Sequence, residues 1–241
     1  MEAPLLVFIH GGGVGGWMWE EQIKFFHEYH CLVPTLPEHG GQKGDILFSI
    51  RESAKQVNNL IVEKANGQKI NVVGFSLGAQ IVVEMLSLQP TLIEKAMINS
   101  ALTRPILLPK RLIGSLVKLT YPLIMYKPFA KMQAKTLLIP PHLFHRYYEE
   151  SRAVTIDGLV RILQENMAFT IPDAFSQVKS KMLVTVGEKE RHVMKKSAHE
   201  LALCNVNCHK MVWKDIGHGI SLKDPGLFNA TLLKWLRHDG I

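Results

Sequence analysis

Short apolar runs that alternate with longer stretches of helical spacing constrain the fold of this chain more than any other feature. Predicted strands cover residues 5–9, 31–35, 69–73, 95–99, 181–186 and 208–213. Predicted helices lie at 19–29, 49–66, 77–89, 193–203 and 225–238. Several of the strands are apolar on both faces, as in parallel strands that helices cover on two sides. The pattern predicts an α/β fold with a doubly wound parallel sheet of about six strands.

One long interval, residues 101–178, breaks this alternation. It contains helix-like segments and the Pro140–Pro141 pair but no strand-like run. We interpret 101–178 as an inserted helical cap, and 1–100 together with 179–241 as the core. A chain of 241 residues with 47% apolar composition is typical of one globular domain with an inserted lobe, which excludes disordered and fibrous classes.

The charge of the chain is concentrated in the first part of the predicted cap. Residues 101–152 contain nine Lys or Arg and two Glu, a net charge of +7. This equals the net charge of the whole chain, so the remaining residues are neutral in sum. Within this interval Lys127, Lys131 and Lys135 recur every four residues. Such a stripe suits an anionic substrate or an anionic lipid surface, or it is simply a solvated helix face. We therefore expect peripheral membrane contact at most, and no nucleic-acid partner because no aromatic residues alternate with the lysines.

The apolar residues of the same interval leave two interpretations open. They either line a pocket for an acyl chain or pack the cap onto the sheet. The set consists of Leu112, Ile113, Leu116, Val117, Leu119, Leu123 and Ile124.

Cysteine content and hydropathy predict the compartment. Three cysteines without a CxxC pair argue against a disulfide framework and a zinc site, and favour a reducing compartment. No uninterrupted apolar run reaches the roughly 18 residues of a spanning helix. Residues 1–4 lead directly into the first predicted strand, so we expect no signal peptide and a cytoplasmic protein.

The segment Gly74-Phe75-Ser76-Leu77-Gly78 carries the strongest indication of chemistry. It follows a predicted strand and precedes an apolar helix, the context in which a sharp turn presents a serine at the top of a sheet. The first turn of the helix favours negative charge beside that serine. A glycine-flanked turn with an N-capping serine is the structural alternative. We predict Ser76 to be a nucleophile.

A glycine-rich loop, His10-Gly11-Gly12-Gly13, follows the first predicted strand. Backbone amides of such a loop can form an oxyanion pocket, and we expect its donors to be the amides of Gly12 and Leu77. The loop matches neither the dinucleotide-binding pattern nor the Walker pattern, which argues against a nucleotide cofactor.

A serine nucleophile needs a base, and eleven histidines compete for that role. His218 follows the last predicted strand, at the same carboxyl edge of the sheet as Ser76. We therefore predict His218 to be the base. His142 and His145 lack a third ligand nearby, so no metal site is expected.

The imidazole in turn needs a carboxylate to fix its tautomer. Glu190 follows the penultimate predicted strand and is our choice for the acid. Glu188 is its rival, whereas Asp215 is too close to His218 in sequence to reach it easily. A surface ion pair is the structural alternative for Glu190.

Together these motifs resemble the α/β-hydrolase superfamily over nearly the whole chain. The order Ser76, Glu190, His218 is similar to that of the family, in whose cap-bearing members the acid is more often aspartate. The sequence lacks the family's first two strands. The resemblance implies a serine hydrolase that cleaves a small to medium carboxylic ester through an acyl-enzyme on Ser76, without a cofactor. The same scaffold also allows a lyase that uses Ser76 and His218 as a proton relay, or a non-catalytic small-molecule receptor.

Overall fold

Within the residues that the structure describes, six parallel strands form one sheet in the order β2-β1-β3-β4-β5-β6. The computed structural model describes residues 3–41, 46–106 and 108–237. The strands are β1 (Leu5–Ile9), β2 (His30–Leu32), β3 (Ile70–Phe75), β4 (Lys95–Asn99), β5 (Lys181–Gly187) and β6 (Cys208–Trp213). The predicted parallel sheet of six strands is thus confirmed.

Helices cover both faces of this sheet. They are α1 (Glu20–Phe25), α2 (Ile50–Lys64), α3 (Leu77–Leu88), α4 (Lys110–Ile124), α5 (Lys127–Thr136), α6 (Phe144–Ala153), α7 (Ile156–Ala168), α8 (His192–Cys204), α9 (Ile220–Lys223) and α10 (Pro225–Arg237). The described part of the chain also contains 3₁₀ turns at Gly16–Trp19, Pro141–Leu143 and Asp173–Gln177. Residue 238, where the last predicted helix ends, lies outside the described residues.

The side chains of β1 show how the sheet separates two cores. Leu5, Val7 and Ile9 pack with residues of α2, α3 and α8 on one side. Leu6 and Phe8 pack on the other side with residues of the Gly16–Trp19 turn and α10. Because both faces are buried, the strand is apolar at every position, as its sequence predicted.

Two predicted elements extended three or more residues too far at their C-terminal ends. The second strand ends at Leu32 rather than at residue 35, since Pro34 has no amide hydrogen for the ladder. The predicted helix 19–29 is shortened to Glu20–Phe25, after which Tyr29 donates to the carbonyl of Phe26 in a turn.

Helices α4 to α7 form a helical insertion between β4 and β5, as predicted. The boundaries 101–178 stay a prediction. Arg161 of α7 donates to both carboxylate oxygens of Glu38 at 2.8 and 3.0 Å. Glu165 of α7 accepts from the amide of Ile50 at the start of α2, at 2.9 Å. These bonds fix the insertion over the carboxyl edge of the sheet.

The described residues contain no helix that combines the length and the apolar character needed to cross a membrane.

Candidate active site

Ser76 lies at a sharp turn between β3 and α3. Its φ of 54° is in the left-handed region, which few residues with a side chain adopt. The Ser76 amide donates to the carbonyl of Asn99, at the end of neighbouring β4, at 2.9 Å. This turn lifts the hydroxyl above the sheet edge while the first turn of α3 begins directly behind it.

The two glycines around Ser76 are required by close backbone contacts. A Cβ on Gly74 would collide with the carbonyl oxygen of Gly78, and a Cβ on Gly78 would collide with the carbonyl oxygens of Ile9 and His10. The turn can therefore form only if both positions lack a side chain. The G-x-S-x-G spacing follows from this packing of α3 onto β1.

His218 contacts Ser76 from the loop between β6 and α9. Its Nε2 lies 3.0 Å from Ser76 Oγ, and its Nδ1 lies 2.7 Å from Glu190 Oε2. With Glu190 ionised, Nδ1 donates to the carboxylate, which leaves Nε2 free to accept the serine proton. The Phe75 ring lies beside the imidazole, with ring centroids 5.0 Å apart.

The Glu190 carboxylate is buried and held from two sides. Its Oε1 accepts from the Gly187 amide at 2.8 Å and from the Ser100 hydroxyl at 2.7 Å. Its Oε2 remains for His218. Donors to the ionised form compensate for the burial of the charge.

Neither rival acid occupies this position. Glu188 is exposed, and its carboxylate accepts from the backbone amide of Asp215 at 2.9 Å. Asp215 is exposed as well and forms an ion pair with Lys189 at 3.0 Å. Of the three candidate acids, the structure brings only Glu190 to His218.

Backbone bonds join the two loops that carry Glu190 and His218. The Lys189 amide donates to the carbonyl of Ile216 at 2.8 Å. A Cβ on Gly187 would collide with the carbonyl oxygen of Gly217. The loops after β5 and β6 thus lie against each other, which fixes the short distance between the acid and the base.

Gly12 and Leu77 lie beside Ser76. Together with Ser76 they line one cavity, in which Leu77 contacts the place where a Gly12 side chain would begin. Leu77 is the first residue of α3, so its amide has no acceptor within the helix. Gly13 has a φ of 73°, which turns the glycine loop back over this region.

His10 orders the glycine loop and takes no part in the contacts of Ser76. Its Nδ1 donates to the carbonyl of Gly11 at 2.9 Å, and its Nε2 accepts from the amide of Leu36 at 3.2 Å. Burial, with a smaller contribution from neighbouring His39, lowers the pKa of His10 to about 3. Burial lowers the pKa of His39 as well. Both rings therefore stay neutral and support the loop.

Two cavities meet at Ser76. The first, of about 430 Å³, is mostly apolar and extends beneath the insertion along Val117, Ile124, Leu159 and Ile162. The second, of about 580 Å³, extends on the side of His218 and Glu190, along Ile106 and Met194. Asn166 borders both cavities, and its side-chain amide donates to Gln80 Oε1 at 2.8 Å.

Ser100 is a site residue that sequence reasoning missed. It follows β4 directly, with a φ of 58°, and contacts the carboxylate of Glu190. Its position at the carboxyl end of a central strand is the same signal that pointed to Ser76 and Glu190.

Within the described residues, no three His, Cys, Asp or Glu side chains are grouped so that they could hold a metal ion.

Two sequence comparisons relate this chain to known proteins. The model of the alpha/beta hydrolase fold family matches residues 4–119. An AB hydrolase superfamily protein of Gibberella zeae is 32% identical over 88 residues, which cover 36% of this chain and 31% of that protein. The match therefore spans less than a third of the length of that relative.

Solved structures extend the likeness over the whole chain. MenH from S. aureus superposes with a TM-score of 0.77 at 17% identity, covering 99% of this chain and 96% of that one. An esterase, EaEST, from Exiguobacterium antarcticum superposes with a TM-score of 0.81 at 17% identity, covering 99% and 94%. At such identities the likeness concerns the fold. Because the family model, the curated relative and these structures agree, the chain has the α/β-hydrolase fold.

Proposed function

We propose that this protein is a serine hydrolase that cleaves small to medium carboxylic esters. The observation that carries the proposal is the chain of contacts from Ser76 Oγ to His218 Nε2 at 3.0 Å and from His218 Nδ1 to Glu190 Oε2 at 2.7 Å. A hydroxyl, an imidazole and a carboxylate in this order are the groups that activate a serine for attack on a carbonyl.

In the first half of the reaction, Ser76 Oγ attacks the ester carbonyl carbon as His218 Nε2 takes the hydroxyl proton. The tetrahedral oxyanion accepts hydrogen bonds from the amides of Gly12 and Leu77. His218 then gives its proton to the departing alkoxide, so the alcohol leaves and the acyl group stays on Ser76. Glu190 stabilises the imidazolium that forms between these two transfers.

In the second half, a water molecule replaces the alcohol. His218 removes a proton from this water as its oxygen attacks the acyl carbon. The tetrahedral intermediate collapses, His218 returns the proton to Ser76 Oγ, and the carboxylic acid is released. Each proton taken by His218 is given back, so the enzyme ends in its starting state.

The two cavities at Ser76 match the two parts of an ester. The leaving alcohol must lie where His218 can protonate it, which assigns the alcohol to the cavity on the His218 side. The acyl chain then occupies the apolar cavity of about 430 Å³ beneath the insertion, which would act as a cap over it. This volume lies in the lower part of the range of ligand pockets, roughly 300–1,000 Å³, which favours a short to medium acyl chain.

A series of nitrophenyl esters of increasing acyl length tests this proposal. We expect kcat/KM to rise from acetate to a medium chain and to fall for palmitate. Ser76→Ala should remove the activity, whereas Ser176→Ala, an exposed serine on the Asp173–Gln177 turn, should retain it. Equal rates for wild type and Ser76→Ala, or no turnover of any ester by folded wild type, would contradict the proposal.

A further inference from the structure

Helix α4 is apolar on two sides, and within the residues that the structure describes only one of them is covered. Ile113 and Val117 are buried on the side that packs against α7. On the other side, four leucines have exposed fractions of 43% (Leu112), 47% (Leu116), 76% (Leu119) and 42% (Leu123). The sequence left pocket lining and cap packing as alternatives for these residues, and neither fits the four leucines.

The exposed leucines form one continuous surface, which we call the leucine stripe (Leu112, Leu116, Leu119 and Leu123). With 3.6 residues per turn, they fall within about 60° of the helix circumference. Tyr126, 62% exposed, follows at the end of the helix. A contiguous apolar surface of this kind is typical of a contact site, whereas single exposed leucines are not.

Positively charged side chains lie on the helix of the leucine stripe and on the helix that follows it. Arg111 and Lys118 are exposed on α4 itself. The next helix, α5, adds the exposed side chains of Lys127, Lys131 and Lys135. The two acidic residues of 101–152 bond elsewhere, Glu150 with the Trp17 indole at 2.7 Å and Glu149 with Arg152 at 3.6 Å.

The three lysines of α5 also border a cavity of about 820 Å³. Its floor is apolar and includes Leu138, Ile139 and Phe144. A concave surface with amines at the rim and an apolar floor is complementary to a molecule with an anionic head and a hydrocarbon chain.

We propose that the leucine stripe and the lysines of α5 dock this protein onto an anionic lipid surface. The leucines would enter the boundary between headgroups and acyl chains, and the lysines would contact lipid phosphates. A second copy of this chain is a poorer occupant, because a symmetric contact would bring the same positive charges together.

The inner side of the same two helices lines the apolar cavity at Ser76. Val117, Thr120 and Ile124 of α4 and Phe129 of α5 all border it. At 3.6 residues per turn, these positions of α4 lie about 100° around the helix from the leucine stripe, so docking through the stripe would bring the cavity within about one helix diameter, ~10 Å, of the lipid. If the proposed function holds, esters would enter this cavity from the membrane. The docking proposal does not depend on the proposed function.

Cosedimentation with vesicles tests the docking, with the Ser76→Ala protein so that hydrolysis has no influence on the result. One vesicle preparation is phosphatidylcholine alone, and in the other a third of the lipid is phosphatidylglycerol. We expect binding to the second preparation only, with a loss as salt is raised. A failure of the ester assay would leave this result unaffected, so the two proposals can fail separately.

Variants assign the binding to this surface. Leu116→Ser/Leu119→Ser should weaken vesicle binding at least tenfold, whereas Val62→Ser/Leu203→Ser, at exposed positions on α2 and α8, should not change it. Lys131→Gln/Lys135→Gln should also weaken vesicle binding at least tenfold. Each lysine near an anionic surface contributes about fivefold to binding, so the two losses multiply. Lys196→Gln on α8 serves as the charge control for a single lysine.

Three results would overturn the proposal. The first is no cosedimentation of the folded protein with anionic vesicles. The second is equal binding by the leucine variant and its control. The third is sedimentation as a dimer that becomes a monomer in the leucine variant, without vesicle binding, which would assign the face to a second copy. If the double variant does not fold, Leu119→Ser alone, at the most exposed of the four positions, gives the same comparison.

Discussion

Glu190 Oε2 lies 2.7 Å from His218 Nδ1, although 28 residues separate the two in sequence. Two neighbouring parallel strands, β5 and β6, end side by side and bring their following loops together. The backbone bond from Lys189 to Ile216 and the close approach of Gly187 to Gly217 fix this contact. The proposed mechanism depends on it, because the carboxylate sets which imidazole nitrogen faces Ser76.

Replacement of Glu190 by glutamine tests that dependence. The glutamine NH₂ group can donate to Nδ1, which moves the imidazole proton to Nε2, so that the ring can no longer accept from Ser76. We expect kcat to fall by roughly 10³–10⁴. Glu188→Gln, at the exposed neighbouring acid, should stay within a few-fold of wild type in the same assay. Similar losses for both variants would contradict the assignment.

Ser100→Ala tests the bond that orders the carboxylate. The variant removes a charge-assisted donor to Glu190 Oε1 while the Gly187 amide remains. We expect kcat to fall about tenfold with KM unchanged, and the free energy of unfolding to fall by about 1–3 kcal/mol. Steady-state kinetics and denaturant unfolding measure the two effects. Loss of stability with unchanged kcat would show that Ser100 has a structural role only.

The positions of Ser76, Glu190 and His218 could be anticipated because parallel strands end at one edge, and each of the three follows a strand. Ser100 follows β4 in the same way but was missed, because a hydroxyl that orders a carboxylate has no spacing or flanking motif. The leucine stripe was missed for another reason. Periodicity shows that α4 has apolar residues on more than one side, but only packing against α7 shows which of them stay exposed.

Gly78→Ala tests the packing that forms the serine turn. The added methyl group would collide with the carbonyl oxygens of Ile9 and His10, and rigid backbone cannot yield. We expect a loss of more than about 3 kcal/mol in the free energy of unfolding, or no folded protein. Gly114→Ala on α4 is the matched control, since a Cβ there meets nothing within 4 Å. It should be neutral or stabilising by up to about 1 kcal/mol, as thermal unfolding can show.

Because His10 is buried and neutral, we expect the free energy of unfolding to depend on pH. Its pKa is about 3 in the folded protein against 6.5 for the ordinary side chain. Between these values the unfolded chain binds a proton that the folded protein does not, so the free energy of unfolding falls as pH falls through this window. The contribution of His10 is about 1.4 kcal/mol per pH unit.

Denaturant unfolding of wild type and His10→Asn at several pH values between about 7 and 4 measures this slope. The variant should show a shallower dependence, because asparagine offers a donor and an acceptor without titrating. Above pH 6.5 the stability of wild type should no longer change on account of His10. Parallel curves for the two proteins would contradict a neutral, buried His10.

The covalent step on Ser76 is tested most directly by rapid acid quench of the enzyme during turnover of a nitrophenyl ester, followed by mass spectrometry of its peptides. We predict that the acyl group is found on the peptide that contains Ser76, and that nitrophenolate and acylated peptide form at the same initial rate. Steady release of nitrophenolate by the folded wild-type enzyme, with the acyl group on another residue or with turnover retained in Ser76→Ala, would contradict the account.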